Sequence, residues 1–392
     1  MVMPGSPAHA TPKPADGAPA PPGRSGFVTL FLAGDVMTGR GIDQVLPHPG
    51  NPQLYEPYLT SAADYVALAE TANGPIPKPV DFAYIWGDAL GEIERRRPDV
   101  RLVNLETAVT KSDEPAPKGI NYKMNPANVG VLAAAKVDCC ALANNHILDW
   151  GYPGLVETLE TLGKAGIGGV GAGRNLREAA APAMLPARNG GRVLVFGFGS
   201  VTSGIPRRWA AGEREPGVNL LSDLSPRTVR AIAEEVRSVK SPGDVVVASL
   251  HWGANWGYEI SGEQAAFAHG LIDNAGVDVV YGHSPHHAKA IEVYRGRPIL
   301  YGCGDLLDDY EGITGYESFR GDLVLTYFPA IEASGGTLVE LAMVPFQIRN
   351  FRLNRASPAD SMWLCDSLNR QGEKFGTRVR LDPDNTLTLA WS

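Results

Sequence analysis

Apolar and polar positions along the chain follow two different periods. Short apolar runs rich in β-branched and aromatic residues occur at Phe27–Ala33, Val100–Asn104, Val137–Ala143, Gly191–Phe198, Asp244–Leu250 and at Val279 to Gly282. Runs of this length and composition predict buried strands. Between them lie segments with helical spacing: Ser61–Thr71, Trp86–Arg97, Gly154–Gly166, Thr228–Lys240 and Glu263–Asn274. In Trp86–Arg97 the apolar positions Trp86, Leu90 and Ile93 oppose the charged ones. Further on, Ala290–Tyr294 and Ile299–Gly302 read as a hairpin, and Leu323–Phe328 and Leu338–Val344 as alternating strands. Residues 356–392 read as a helix and tail packed on the outside. Strands alternating with helices predict an α/β protein.

The runs share a second feature: most of them end in residues that bind ligands. Phe27–Ala33 leads to Asp35, and the next run leads to Glu106. Val137–Ala143 leads to Asn144-Asn145-His146, with Asp149 one turn on, and Asp244–Leu250 leads to His251. Val279–Gly282 delivers His283, Ser284, Pro285, His286 and His287 in a single turn. Open α/β sheets bind their ligands beyond the carboxyl ends of the strands. Three imidazoles at one strand end are hard to justify as packing and suit a divalent metal, with Asp35, Glu106 and the Asn145 amide supplying oxygen. Each residue also has a plainer reading. Asp35 could cap a turn, Asn144 and Asn145 could cap a helix, and His251 could be a core residue stacked between tryptophans. Asp149 is placed to orient His146. His48 reads as exposed and His269 as structural. The loop Arg207-Arg208-Trp209 could grip an anionic substrate or simply cover the surface. Gly169–Gly173 lacks the acidic residue of a dinucleotide fingerprint.

Composition narrows the functions. The 392 residues are 44% apolar and 20% charged, with a net charge of −8, so no basic footprint for nucleic acid exists. No apolar run reaches the ~18 residues needed to span a bilayer. Cys139, Cys140, Cys303 and Cys365 have no CxxC spacing. They are expected to be free thiols in a reducing, cytoplasmic setting. The first 26 residues are rich in Pro, Ala and Gly and lack the apolar core of a secretory signal. They are expected to form a disordered tail, dispensable or closing over the site as a lid. The main domain is expected over 27–355, with 356–392 packed on it.

The ordered set Gly-Asp35-Val-Met-Thr-Gly-Arg40, Asn-Leu-Glu106, Asn145-His146-x-x-Asp149-x-Gly, His251-Trp-Gly and Gly-His283-x-x-His286 resembles the CapA family of bacterial capsule and poly-γ-glutamate synthesis proteins. That family in turn resembles the calcineurin-like metallophosphoesterases. The resemblance covers residues 27 to 350. It implies a four-layer αββα sandwich, two packed mixed sheets with helices outside. It also implies one metal position at Glu106, Asn145, His251 and His283, and another at Asp35, Glu106 and His286. His146 takes the catalytic-histidine place, with Asp149 behind it. Arg40 and Trp252 are expected at the substrate, and Asp305, after another strand end, either there or holding a ligand histidine from behind. Two departures stand out. Met37 occupies a position where phosphoesterases carry histidine, so one ion (Mn, Zn, Ca or Mg) is expected to be held tightly. There is also no membrane anchor of the kind that many capsule-synthesis members carry. The expected activity is metal-dependent hydrolysis, or assistance to a ligase, on a peptide, poly-γ-glutamyl or phosphoester substrate. One alternative is a peptide epimerase exchanging a Cα proton between His146, His286 and His287. The other is a metal-stabilised binding scaffold.

Overall fold

The computed structural model of the protein describes residues 26–188 and 190–392. The tail expected over residues 1–26 therefore lies, except for Gly26, outside the described residues. The remainder is a mixed α/β structure built on two large sheets. In the larger sheet the strands run in the order Thr377–Leu381, Leu387–Trp391, Leu338–Ile348, Leu323–Glu332, Phe27–Val36, Val100–Leu105, Cys139–Ala141 and Gly168–Val170. The short strand Asp305–Leu307 pairs with Phe27–Val36, and Leu353–Arg355 pairs with Leu338–Ile348. The smaller sheet runs Ile291–Tyr294, Arg297–Leu300, Val279–His283, Val245–His251, Arg192–Gly199 and Ala183–Pro186.

Alternation within the strands builds the layers. Leu30 and Leu32 of the first strand, with Leu102 and Cys139, meet Val195, Val247, Val279 and Tyr281 of the smaller sheet in one core. Phe31, Ala33, Val103 and Cys140 face the opposite way, onto Ile42, Trp86, Ile93, Leu132 and Leu155. On the far side of the smaller sheet, Leu194, Val246, Ala248 and Leu250 pack against Val229, Ile232, Val236, Phe267 and Leu271. Those last residues lie on the helices Pro226–Val239 and Gly262–Ala275. Both faces of the central strands are thus covered, which is why these segments read as continuous apolar runs. The four cysteines are buried and unpaired. Among the described residues no helix is long and apolar enough to cross a membrane.

Two expectations need correction. The helix expected over Trp86–Arg97 is broken into a 3-10 turn, Tyr84–Trp86, and a helix, Ala89–Arg96. Gly87 lies between them with φ +46°, and a Cβ there would come within 2.1 Å of the Leu353 carbonyl oxygen. The C-terminal region, expected as a helix and tail, has the helix, but the tail is a hairpin. After the helix Pro358–Gly372, Thr377–Leu381 and Leu387–Trp391 form a hairpin that adds to the larger sheet, with Met343 opposite Leu387. Leu364, Val379, Leu387 and Leu389 pack into the core between the sheets.

One close approach aligns the functional edge. A Cβ on Gly34 would lie 1.7 Å from the Gly304 carbonyl oxygen, so only glycine lets the two backbones come this near. The next amide, Asp35 N–H, donates to that same oxygen at 2.9 Å. Gly34→Ala is therefore expected to destabilise the fold by about 3 kcal/mol, since backbone cannot yield as a side chain can. Gly91, exposed on the helix Ala89–Arg96 with nothing within 4 Å of its would-be Cβ, is the control. Gly91→Ala should stabilise by roughly 0.5–1 kcal/mol. Urea unfolding midpoints of the two variants check both expectations.

Candidate metal centre

The parallel strands bring their carboxyl ends to one edge, and their register sets which side chains meet. Asp35 lies opposite Asn104 on one neighbour and opposite Asp305 on the other. In the smaller sheet His251 lies opposite His283. Tyr281, two residues before His283, donates its hydroxyl to the Ala33 carbonyl and so ties one sheet to the other beneath the site. The turn that follows carries Ser284 at φ +105°, a conformation that L-residues rarely adopt. That turn returns His286 to the edge that His283 already occupies.

Two ligand sets result, and Asp35 belongs to both. Ligand atoms of Asp35, His251 and His283 all lie within 4.8 Å of one another, as do those of Asp35, His286 and Asp305. The first set is extended by Asn145 Oδ1, 2.9 Å from His251 Nε2, and by Glu106 Oε1, 3.6 Å from the same nitrogen. His251 Nδ1 and His283 Nδ1 are 2.7 Å apart, and Ser249 Oγ meets His283 Nε2 at 2.7 Å. In the second set His286 Nδ1 is 3.0 Å from both oxygens of Asp305. Asn255 contacts His286 Nε2 at 2.9 Å.

The chemistry of these donors fits a divalent cation. Burial lowers the pKa of His283 to about 3 and drives that of His251 well below its ordinary value, so both rings are neutral and keep a lone pair. Burial, reinforced by Asp305, raises Asp35 to about 7, and burial with Asp35 raises Glu106. Burial opposes the charged form of His286, yet Asp305 beside it raises its pKa overall. Asp35 Oδ1 accepts from Asn104 Nδ2 at 2.7 Å, whereas its Oδ2 is buried without a donor. Among the described residues no lysine or arginine forms an ion pair with Asp35, Glu106 or Asp305. Buried carboxylates in that position are compensated by protons or by metal.

His146 stands at the rim of the first set. Its Nδ1 is 2.6 Å from Asp149 Oδ2, and Lys118 Nζ is 2.8 Å from Asp149 Oδ1 and 3.4 Å from the same His146 nitrogen. Lys118 also donates to the Asn145 carbonyl at 2.6 Å. Burial holds the His146 pKa down to about 4, with Lys118 working in the same direction and Asp149 against. The ring stacks on Tyr122 with centroids 3.8 Å apart. An amide relay links this corner to the carboxylates: Asn144 Nδ2 donates to Asn104 Oδ1 at 3.2 Å, and Asn144 Oδ1 accepts from the His146 amide at 3.1 Å.

Several residues expected at the site lie elsewhere or act differently. Trp252 does not face substrate. It is fully buried, stacks on Tyr301 and donates Nε1–H to the Tyr301 carbonyl at 3.1 Å. It alternates with His251 along the chain and therefore enters the opposite, apolar layer. Arg40 is also sequestered, with Nη1 2.8 Å from Glu56 and Nη2 2.5 Å from Asp309. His287 belongs to neither ligand set. Its ring sits among Trp256, Tyr258 and Phe319, and its Nε2 is buried without a partner. Asp305 lies against His286 and within reach of Asp35. Met37 is buried, and the carboxylate of Asp305 reaches the second set from the adjoining strand. Sequence reasoning missed Lys118, Asn104, Tyr310 and the ligand position of Asp305. Lys118 lies in a Pro-rich loop with no local signal. Asp305 follows an apolar segment and is picked out by the same rule as Asp35, but that rule does not separate a ligand from a group standing behind one.

Comparison with known proteins agrees with the motif order. Residues 29–310 match the family described as bacterial capsule synthesis protein PGA_cap, and the chain belongs to that family. It is 49% identical to a probable polyglutamine synthesis accessory protein of Mycobacterium tuberculosis, over 94% of this chain and 97% of that protein. It is 26% identical to the PGA biosynthesis protein CapA of Bacillus subtilis, over 85% and 73% of the two chains. Its identity to the capsule biosynthesis protein CapA of Bacillus anthracis is 27%, over 72% and 60%.

The shared position of Asp35 makes metal stoichiometry a direct test. Protein purified without chelator is expected to take up manganese at two unequal positions, the tighter one at His251 and His283. Asp305→Asn should remove the weaker ion alone, whereas Asp35→Asn should weaken both by at least about tenfold. Calorimetric titration of the apo-protein with Mn²⁺, with elemental analysis after dialysis, measures both effects.

Proposed function

We propose that this member of the capsule synthesis family is a divalent-metal-dependent hydrolase, cleaving a poly-γ-glutamyl or phosphoester bond in the making of a polyglutamate capsule. The observation that carries the reading is the meeting of two ligand sets at Asp35, with a neutral histidine at their rim. The layer order, helices outside two facing mixed sheets with the site at the strands' carboxyl ends, supports a sandwich of the metallophosphoesterase type. The names of the relatives support the polymer pathway.

Asp35, His251, His283, Asn145 and Glu106 would hold one ion, and Asp35, His286 and Asp305 the other. Bound there, the metal would supply Lewis acidity, polarising a carbonyl or phosphoryl oxygen and making water more acidic. The chain's own groups would do the rest. Asp149 accepts the Nδ1–H of His146 and fixes its tautomer, which leaves Nε2 unprotonated and able to take a proton from the attacking water. The Lys118 ammonium, bound to the other Asp149 oxygen, opposes early protonation of the ring. After transfer, Asp149 stabilises the imidazolium, and the proton returns to the leaving group. Two-base epimerisation gains no comparable support. His287, one of the three imidazoles it draws on, is walled off by aromatic rings.

The test is cleavage of poly-γ-glutamate and of bis(p-nitrophenyl) phosphate by the metal-loaded protein. Cleavage of one of them is expected to vanish on chelation and return with metal. His146→Gln should lower turnover by about 10²–10⁴-fold with metal content unchanged. Turnover that ignores chelator, or survives in His146→Gln, would overturn the proposal.

A further inference from the structure

Two phenol hydroxyls lie beside the ligand cluster, and hydrogen-bond arithmetic leaves one of their protons unspent. Tyr122 Oη and Tyr310 Oη are 2.7 Å apart. One O–H donates to the other oxygen, and the second O–H has no acceptor among the described residues. The pair bridges the site: the Tyr122 ring stacks on His146, and the Tyr310 ring meets His286 edge-on at 5.5 Å between centroids. Either hydroxyl can be the donor within the pair. The Arg40 guanidinium lies 4.6 Å from the centre of the Tyr122 ring and 5.7 Å from that of Tyr310. Tyr122 is 3% exposed, whereas Tyr310 is only partly buried. Tyr310, the more exposed of the two, is the one placed to offer its proton to a ligand.

We infer that the Tyr122–Tyr310 pair is an oxyanion-binding element of the site, with Tyr122 donating to Tyr310 and Tyr310 donating to a phosphoryl or carboxylate oxygen of the ligand. The inference rests on the metal-site reading above. Donors fixed in place before the ligand arrives need no reorganisation to meet a developing negative charge. Burial raises both phenols well above their ordinary pKa, so both remain protonated donors across the working pH range. The remote parts of the network hold the pair rigid. Arg40 is gripped by Glu56 and Asp309, and the Tyr122 amide donates to Asp149 Oδ2 at 2.7 Å.

The test uses the full chain loaded with Mn²⁺ and titrated calorimetrically with methylphosphonate, after excess metal is removed. Tyr310→Phe is expected to weaken methylphosphonate binding about tenfold, the effect of one hydrogen bond to a charged group. Tyr122→Phe should weaken it only a few-fold, because the Tyr310 proton survives. Mn²⁺ affinity and the urea midpoint should be unchanged in both variants, although a merely structural role would move them. Wild-type affinity in Tyr310→Phe overturns the inference and leaves the metal-site reading standing. So does a wild-type holoprotein that binds Mn²⁺ and no methylphosphonate. Failure of the wild type to bind Mn²⁺ would instead sink the metal-site reading, and the anion-binding role with it.

Discussion

Asp35 is a fully buried carboxyl group with two others, Glu106 and Asp305, close enough to shift its pKa. Such an arrangement is costly without a cation. Everything that maintains it is built into the backbone. Asp305 faces Asp35 through strand register, and the glycine pair at 34 and 304 lets the backbones approach. Asn104 supplies one donor to Asp35 Oδ1 and leaves Oδ2 unsatisfied. A core packed for stability alone would have no reason to assemble these groups. Held by rigid strands, they are a set of oxygen donors able to receive an ion.

The two sheets contribute unlike halves. The larger sheet brings mainly oxygen: Asp35, Glu106, Asn145 and Asp305. The smaller brings nitrogen: His251 and His283, with His286 on the turn beyond. Neither sheet has a complete set, so the centre exists only where the two pack together. The Tyr281 hydroxyl on the Ala33 carbonyl, directly below, makes the alignment of the sheets a condition for the centre. The Met37 position shows how such a joint site tolerates change. A missing nitrogen on the first strand is offset by a carboxylate arriving from a strand that pairs with it more than 250 residues later in the chain. This gives a harder, more oxygen-rich second position than histidine would.

How much of this was legible in the sequence depended on distance along the chain. Buried strands and their polar ends were readable because both signals are local. An apolar run followed by Asp35, His251 or His283 needs no knowledge of partners. The helix break at Gly87 was less readable, because its cause is the Leu353 carbonyl, which is far off in sequence. The C-terminal hairpin was missed although Val379, Leu387 and Leu389 alternate with polar neighbours, since a short terminal segment gives few periods to count. Trp252 was misassigned for a geometric reason. In a strand, the neighbour of a ligand points to the opposite face, so a tryptophan next to His251 is the residue least suited to reach the same substrate. Lys118 and the tyrosine pair could not be found at all from local pattern, because their meaning lies wholly in what they touch.

Arg40 is buried beside the site. A guanidinium this far from water, bonded to Glu56 and Asp309 and covered by Tyr65 at 3.8 Å, is weak evidence for stability, since apolar replacements of such networks are often neutral or better. Its backbone sits at φ +44°, a further strain for a residue with a side chain. Both costs are incurred at one place, where the ring of Tyr122 is pressed between that cation and His146. The network thus fixes the plane of the ring against which His146 lies, and through the hydroxyl contact it fixes Tyr310 against His286. Rigid support of this kind is what a metal centre needs from the groups around its ligands. Arg40, at the start of the helix Arg40–Val45 with Gly39 before it, thus braces the rings that wall the site.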